Sequence, residues 1–546
     1  MLPLSGTQDT PASTKTLGAP MATNVVNLDA LIPRDDFAIE TATQRSGSNV
    51  EKIDIHHLDD HFFVTRLRKP DFQRETTHWT PAKVVDLVSC FLRGDLIPAV
   101  ILWQASSVFF VIDGAHRLSA LLAWVLDDYG DGKHSLAFFG GRVPDEQTRI
   151  AERTRKMVKS SVGAYGEYVA ARKNPDSLLP EMTARFNNLA TQFITAQWVP
   201  TVDRKAAEDS FFKINQAATP IDPTERQILK ARRSASALAA RAITRAGTGH
   251  QYWSPFQIGE QNRIRELGKL LYETLYEPPI AEGPVKTIDL PIAGKGYNAL
   301  PFVFDLVNQT NGVSIPTSKN KLDEDDILGV DENGTTTIKY LGKVKRTVDR
   351  LAGTAPASLG LHPAVYFYTR SGAFQPAAFL AAAQLAERLT KGAEIGKFIK
   401  VRKKFEQFLI DNKHHTSLVV HRYGSGQRSV APLKAYFEKL INSLEQSANG
   451  DLKTALKKDD EYAFLLAPRP RGIRTPQSEG KRFSKNSKSA AAIAQLLESA
   501  PTCQICGARI HMKSMHVDHV RRRREGGSGD MRNAQLTHPI CNSHKG

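Results

Sequence analysis

Cysteine is scarce, four in 546 residues, which excludes a disulfide scaffold. Long apolar runs are missing too: nothing approaches the roughly 18 consecutive apolar residues of a membrane helix. The opening stretch MLPLSGTQDTPASTKTLGAP has no basic head followed by an apolar core, so no membrane partner is expected and the chain reads as cytoplasmic. No internal repeat of solenoid period is found. What is present is an ordinary globular balance, 41% hydrophobic and 24% charged, which rules out a chain disordered throughout. Its length is that of two to four domains.

The charge is uneven. The chain carries +16, and residues 467–546 hold 15 basic against five acidic residues, so a polyanionic partner is expected at that end. Three of the four cysteines, Cys503, Cys506 and Cys541, also lie in the last 44 residues. Such crowding suggests a metal.

Periodicity divides the rest. Residues 1–24, rich in Ser, Thr, Pro and Gly, read as a disordered leader. Over 25–230 helical spacing (VVDLVSCFLRG, HRLSALLAWVL) alternates with strand-like runs (VILW, SVFFVI), predicting an α/β or α+β domain. Residues 231–467 are dominated by helical patterns, including 258–276, 379–389 and 397–410, and predict a helical domain. Cys90 falls on the apolar pattern of its helix and reads as core, and the aromatic stretch AVYFYTRSGAFQPAAF reads as packing. Residues 468–495 read as a basic linker; within it 468–489 carry seven basic residues against one acidic. Residues 496–546 remain as a small C-terminal domain.

In that domain CQIC places Cys503 and Cys506 on one knuckle, from which both sulfurs reach a tetrahedral zinc at ~2.3 Å. HPIC, after an interval of 31 residues, offers His538 and Cys541 at the same gap; Cys541 with His544 is an alternative second pair. About 50 residues with few large apolar side chains need such an ion to fold, so the zinc is expected to be structural.

Between the knuckles lies MHVDHVRRRREGGSGDMRNAQL. The order CQIC, VDH, EGG, Asn533, HPIC, Asn542 resembles the HNH (ββα-metal) endonuclease family over about residues 500–546, with His538 where Cys is usual. The resemblance implies hydrolysis of a DNA phosphodiester to 5′-phosphate and 3′-hydroxyl ends. The residue types suit that chemistry. A neutral imidazole at His519 serves as the base that deprotonates water. Asp518 and Asn542 supply oxygen ligands to a Mg²⁺ or Mn²⁺ ion. Asn533 is expected to orient His519 through a carbonyl hydrogen bond. Adjacent strand residues face opposite ways, so Asp518 and His519 require a twisted or bulged strand, or a metal at its edge. Arg521, Arg522, Arg523 and Arg524 are placed to grip DNA phosphates without reading sequence.

The second constellation is SVFFVIDGAHRLSALLAW, read as strand, Asp-Gly turn and helix start. Such a turn presents free N–H groups to an anion, with Asp113, Gly114, His116 and Arg117 at the loop and the last two adding donors. KPDFQRETTHW precedes it and FFKINQAATPIDPTERQIL follows. This order resembles the ParB/sulfiredoxin-like domain of the GmrSD-type modification-dependent restriction family and related phage-defence nucleases, over about residues 50–230. The resemblance implies a loop that binds or hydrolyses a nucleoside triphosphate, with Gln73 and Arg74 lining the same pocket; the family's DGQQR is DGAHR here. Asp222, Pro223 and Glu225 are accounted for as a helix start.

The reading is a multidomain α+β endonuclease of the restriction or phage-defence type. An N-terminal domain senses a nucleotide or a DNA modification, and an HNH cutter on a basic tether acts on phage or modified DNA; a homo-oligomer is compatible. Two other classes fit the residues: a nucleotide-responsive DNA-binding regulator with a non-catalytic zinc knuckle, and a toxin-like nuclease.

Overall fold

The structure, a computed structural model, describes residues 25–35, 50–59, 61–73, 75, 79–105, 107–141, 143–174, 180–200, 203–217, 223–280, 285, 289–296, 299–315, 328–391, 394–446, 451–467 and 482–545. The expected leader, residues 468–481 of the expected linker, and Arg74 lie outside them.

A six-stranded mixed sheet organises the N-terminal part. Its strands are β1 (Arg34–Asp35), β2 (Lys52–Asp54), β3 (Leu67–Pro70), β4 (Val100–Ala105), β5 (Val108–Asp113) and β6 (Phe193–Trp198), in the order β1-β3-β5-β4-β6-β2. The central run VFFVID is apolar at successive positions because both faces of β5 are covered. Phe109 and Val111 enter one core with Leu118, Leu121 and Trp124 of the helix Ala115–Leu126. Phe110 and Ile112 enter another with Phe72, Trp103, Phe211 and Phe212. That alternation is the two-residue period of a strand made visible in two cores. The helix Pro81–Arg93 closes the first face. Thr80 accepts from Lys83 N at its start, Pro81 opens the first turn, and Gly94 ends it in the left-handed region. Cys90 in this helix is half-buried and takes a contact from Arg93 Nη2 at 3.4 Å, so it borders the core instead of filling it.

A third core runs from Ile228 to Cys541. The helices Ile258–Tyr276, Leu300–Asn311, Thr335–Ala352, Pro376–Lys391, Ile395–Asp411 and Val430–Gln446 form most of it. Tyr366, Phe367, Tyr368 and Phe379 of the aromatic stretch are buried there. Two findings depart from the expected basic tether. Residues 485–499 form a helix capped by Ser484, and Ile493, Leu496 and Leu497 are buried in this core. Their spacing is one helical stripe, masked in the sequence by the basic composition around it. The C-terminal module shares the core as well, through Cys503, Ile510, Ile540 and Cys541. It is therefore docked on the helical part, not suspended from it.

Two buried arginines join the sheet to the helices. Arg232 Nε donates to Asp71 at 2.8 Å and its Nη1 to Glu208 at 3.0 Å, and Arg245 pairs with Glu75 and Asp29.

Candidate active site and zinc knuckle

The ligand atoms of Cys503, Cys506, His538 and Cys541 all lie within 4.8 Å of one another. Gln504 N donates to Leu536 O at 2.9 Å, which ties the first knuckle to the strand leading into the second. His538 Nδ1 sits 3.4 Å from Cys506 Sγ and 3.7 Å from Cys541 Sγ, while its Nε2 donates to Arg509 O at 3.0 Å. That outer bond places the ring proton on Nε2 and leaves the Nδ1 lone pair toward the sulfurs, the arrangement of a metal-ligating histidine. His544 Nδ1 is instead 3.1 Å from Ile540 O, so His538 is the fourth member of the cluster. The thiols compete: hydrogen bonds from Cys506 and Cys541 pull Cys503 far down, while Cys506 is pushed up to about 11 by its bond to Cys503 and Cys541 rises further, chiefly through the same partner. Three sulfurs this close all become thiolates only around a cation, and a Cys₃His set fits zinc.

The knuckle is anchored by a buried ion pair. Arg402 Nε donates to Glu406 Oε1 at 2.7 Å, and its Nη1 and Nη2 donate to Leu359 O at 2.6 Å and Gly360 O at 3.1 Å. Glu406 also accepts from Tyr366 Oη at 2.9 Å and from Arg509 N at 3.2 Å. The chain from His538 through the Arg509 peptide to Glu406 thus makes the helix Ile395–Asp411 the outer shell of the metal cluster. Ile540 N donates to Ser358 O, Ser543 Oγ to Pro356 O and His516 Nε2 to Thr354 O, fixing the module along residues 354–360.

Strands β7 (His516–His519) and β8 (Ala534–Thr537) pair antiparallel, with Asp518 opposite Gln535 and His519 opposite Ala534, and the helix Pro539–His544 follows. Asp518 Oδ2 accepts from Gln535 Nε2 at 2.9 Å and from Lys545 Nζ at 2.9 Å. Burial opposes its charge, but the bonds from Lys545 and Gln535 outweigh it and hold the carboxyl below the usual range. His519 Nε2 accepts from Arg523 Nε at 3.5 Å. Asn542 is half-buried in the short helix, one residue after Cys541.

Asn533 does not hold His519 as expected. Its Oδ1 accepts from Arg521 N at 2.7 Å, and its Nδ2 donates to Arg521 O at 3.0 Å and Ser528 O at 2.6 Å. It clamps the Gly-rich loop 521–533. Gly527 is required in that loop, since a Cβ there would meet Arg521 O at 1.8 Å. The arginine run is divided. Arg521, Arg523 and Arg524 are exposed, with Arg523 Nε directed to His519 Nε2, while half-buried Arg522 reaches Lys545 O through Nη2. Lys545, Gln535, Arg509 and the Arg402–Glu406 pair escape a reading of motifs, because lone charged or amide residues carry no spacing signal.

The structure also places the N-terminal loop residues together. Gly114, at φ 97°, starts the helix Ala115–Leu126, and a Cβ there would lie 2.5 Å from Val100 Cγ1. Arg117 Nη2 donates to Asp113 Oδ2 at 2.6 Å and Ala99 O at 2.9 Å. Gln73 Nε2 donates to Val111 O at 3.1 Å. His116 stacks on Trp79, with ring centroids 5.7 Å apart. Arg117 and Gln73 therefore bind the loop to itself and to β5.

Comparison with known families finds a match in each of the two regions. Residues 56–233 match the GmrSD restriction endonuclease N-terminal domain, and residues 503–546 match the HNH endonuclease. No curated protein and no solved structure matches the chain. With an HNH endonuclease module built on a zinc-type knuckle and a restriction-endonuclease N-terminal domain in one chain, this is a metal-dependent endonuclease of the restriction type.

Proposed function

We propose that the chain cuts phage or modified DNA at the β7–β8 hairpin, with His519 as the general base and Asp518 and Asn542 as ligands of a Mg²⁺ or Mn²⁺ ion. The observation that carries this reading is the oxygen set around Asp518, already gathered about a cation, the Lys545 ammonium. Bound there, a hard divalent ion supplies the charge that offsets the phosphate and leaving oxygens. His519 Nε2 accepts from Arg523 Nε at 3.5 Å, which marks it as the unprotonated ring nitrogen, and Arg523 has to release it before it takes a proton from water. Arg521 and Arg524, exposed beside the site, meet the phosphates flanking the cut.

The N-terminal part, read as a ParB/sulfiredoxin-like sensor of a nucleotide or a DNA modification, controls the cutter through the helical domain. Support comes from Asp71, Gln73 and Glu75: Gln73 is bonded to β5, and Asp71 and Glu75 are gripped by Arg232 and Arg245. A change at the Asp113–Arg117 turn is thereby one strand away from two interdomain ion pairs. His519→Ala, assayed by divalent-dependent nicking of supercoiled plasmid, is expected to lose cutting with its zinc content and DNA affinity unchanged. Wild-type nicking by this variant overturns the assignment of His519 as the base, whereas absence of divalent-dependent nicking by the wild type itself leaves the DNA-binding regulator as the better reading.

A further inference from the structure

Lys545 donates to three oxygens at once: Asp518 Oδ2 at 2.9 Å, Val520 O at 3.2 Å, and His519 O. Its own carbonyl is held by Arg522 Nη2. Both partners of the ion pair are largely shielded, with side-chain exposures of 21% for Lys545 and 13% for Asp518. An ammonium with an all-oxygen first shell that includes a carboxylate stands where a hard divalent cation is expected, and it uses the carboxylate oxygen such a cation needs.

We infer that Lys545 is a built-in counter-ion of the catalytic site, which a divalent cation displaces from Asp518 before cutting begins. The inference rests on the proposed role of Asp518 as a metal ligand and extends it. Lys545 is a positioning residue that keeps Asp518 ionised and aimed in the metal-free protein, and it sets the divalent concentration at which the site fills. Arg522 takes part by restraining the backbone of Lys545.

The test uses the full chain with its zinc retained and Mn²⁺ as the probe, with free Mn²⁺ read by electron paramagnetic resonance. Lys545→Met is expected to bind Mn²⁺ more tightly by on the order of tenfold, because the competing charge-assisted hydrogen bond is gone. Lys545→Arg, which keeps the charge, is expected to stay near wild type, and Asp518→Asn to lose the site. A purely structural lysine would give the opposite sign in Lys545→Met. In the wild type, Mn²⁺ is expected to increase acylation of the Lys545 amine by an N-hydroxysuccinimide ester, and to leave it unchanged in Asp518→Asn. This readout needs no Lys545 variant to fold. Mn²⁺ affinity unchanged or weakened in Lys545→Met, with an Asp518-dependent site intact, overturns the inference alone. Absence of any Asp518-dependent Mn²⁺ site in both wild type and Lys545→Met overturns the metal-ligand reading as well.

Discussion

Replacing Arg402 by Met tests whether the nuclease module is docked or tethered. Arg402 is fully buried, and its loss strands the Glu406 carboxylate, 1% exposed, together with the carbonyls of Leu359 and Gly360. Removing one partner of such a pair costs about 3–5 kcal/mol, mostly the penalty of the charge left behind. Tyr366 Oη and Arg509 N still reach Glu406, which places the expectation at the low end, about 3 kcal/mol. Because Arg509 also receives His538 Nε2, the loss should propagate to the metal cluster. The assay is urea unfolding followed by far-ultraviolet circular dichroism, with zinc release to a chromogenic chelator in parallel. The variant is expected to unfold at lower urea and to release zinc faster, and Arg402→Met with Glu406→Leu should recover part of both losses because no buried charge remains. A single variant within about 1 kcal/mol of wild type, with unaltered zinc release, would refute the docking argument.

Other expectations follow from the same geometry. Cys503→Ser and His538→Ala should lower zinc content while His544→Ala retains it, measured by plasma mass spectrometry, because only the first two belong to the cluster. Gly527→Ala should abolish nicking at full zinc occupancy, since its Cβ cannot coexist with Arg521 O; normal nicking would show that the loop does not shape the site. Burial lowers Lys413 to about 7, with its Nζ on the carbonyls of Ala364 and Val365. Between that value and the ordinary lysine range the unfolded chain binds the extra proton, so stability should rise with pH by at most about 1.4 kcal/mol per unit. Lys413→Met should flatten the slope in denaturation series from pH 7 to 9. Arg117→Ala should open the Asp113 turn and weaken nucleoside triphosphate binding by roughly tenfold in calorimetry; equal binding would make the turn purely structural.

Local pattern carried much of this protein. The knuckle spacing of Cys503, Cys506, His538 and Cys541 and the order of Asp518, His519 and Asn542 were legible because ligand and motif intervals are properties of the chain itself. The same holds for the helix Ile258–Tyr276 and for β4 and β5, where periodicity reports burial directly. Tertiary structure alone decided that His538 and not His544 completes the cluster, since both stand at permissible intervals and the choice depends on which ring nitrogen meets Arg509 O. It decided that Asn533 clamps a loop, that Arg522 reaches the Lys545 carbonyl and Arg523 the His519 ring, and that Lys545 reaches Asp518. It also turned residues 485–495 of the expected tether into part of a packed helix and the nuclease module into part of the helical core, with Arg402 and Glu406 as the link. Hydrogen-bond partners across tens or hundreds of residues leave no trace in spacing or composition; they exist only once the chain has brought the charges into one buried place.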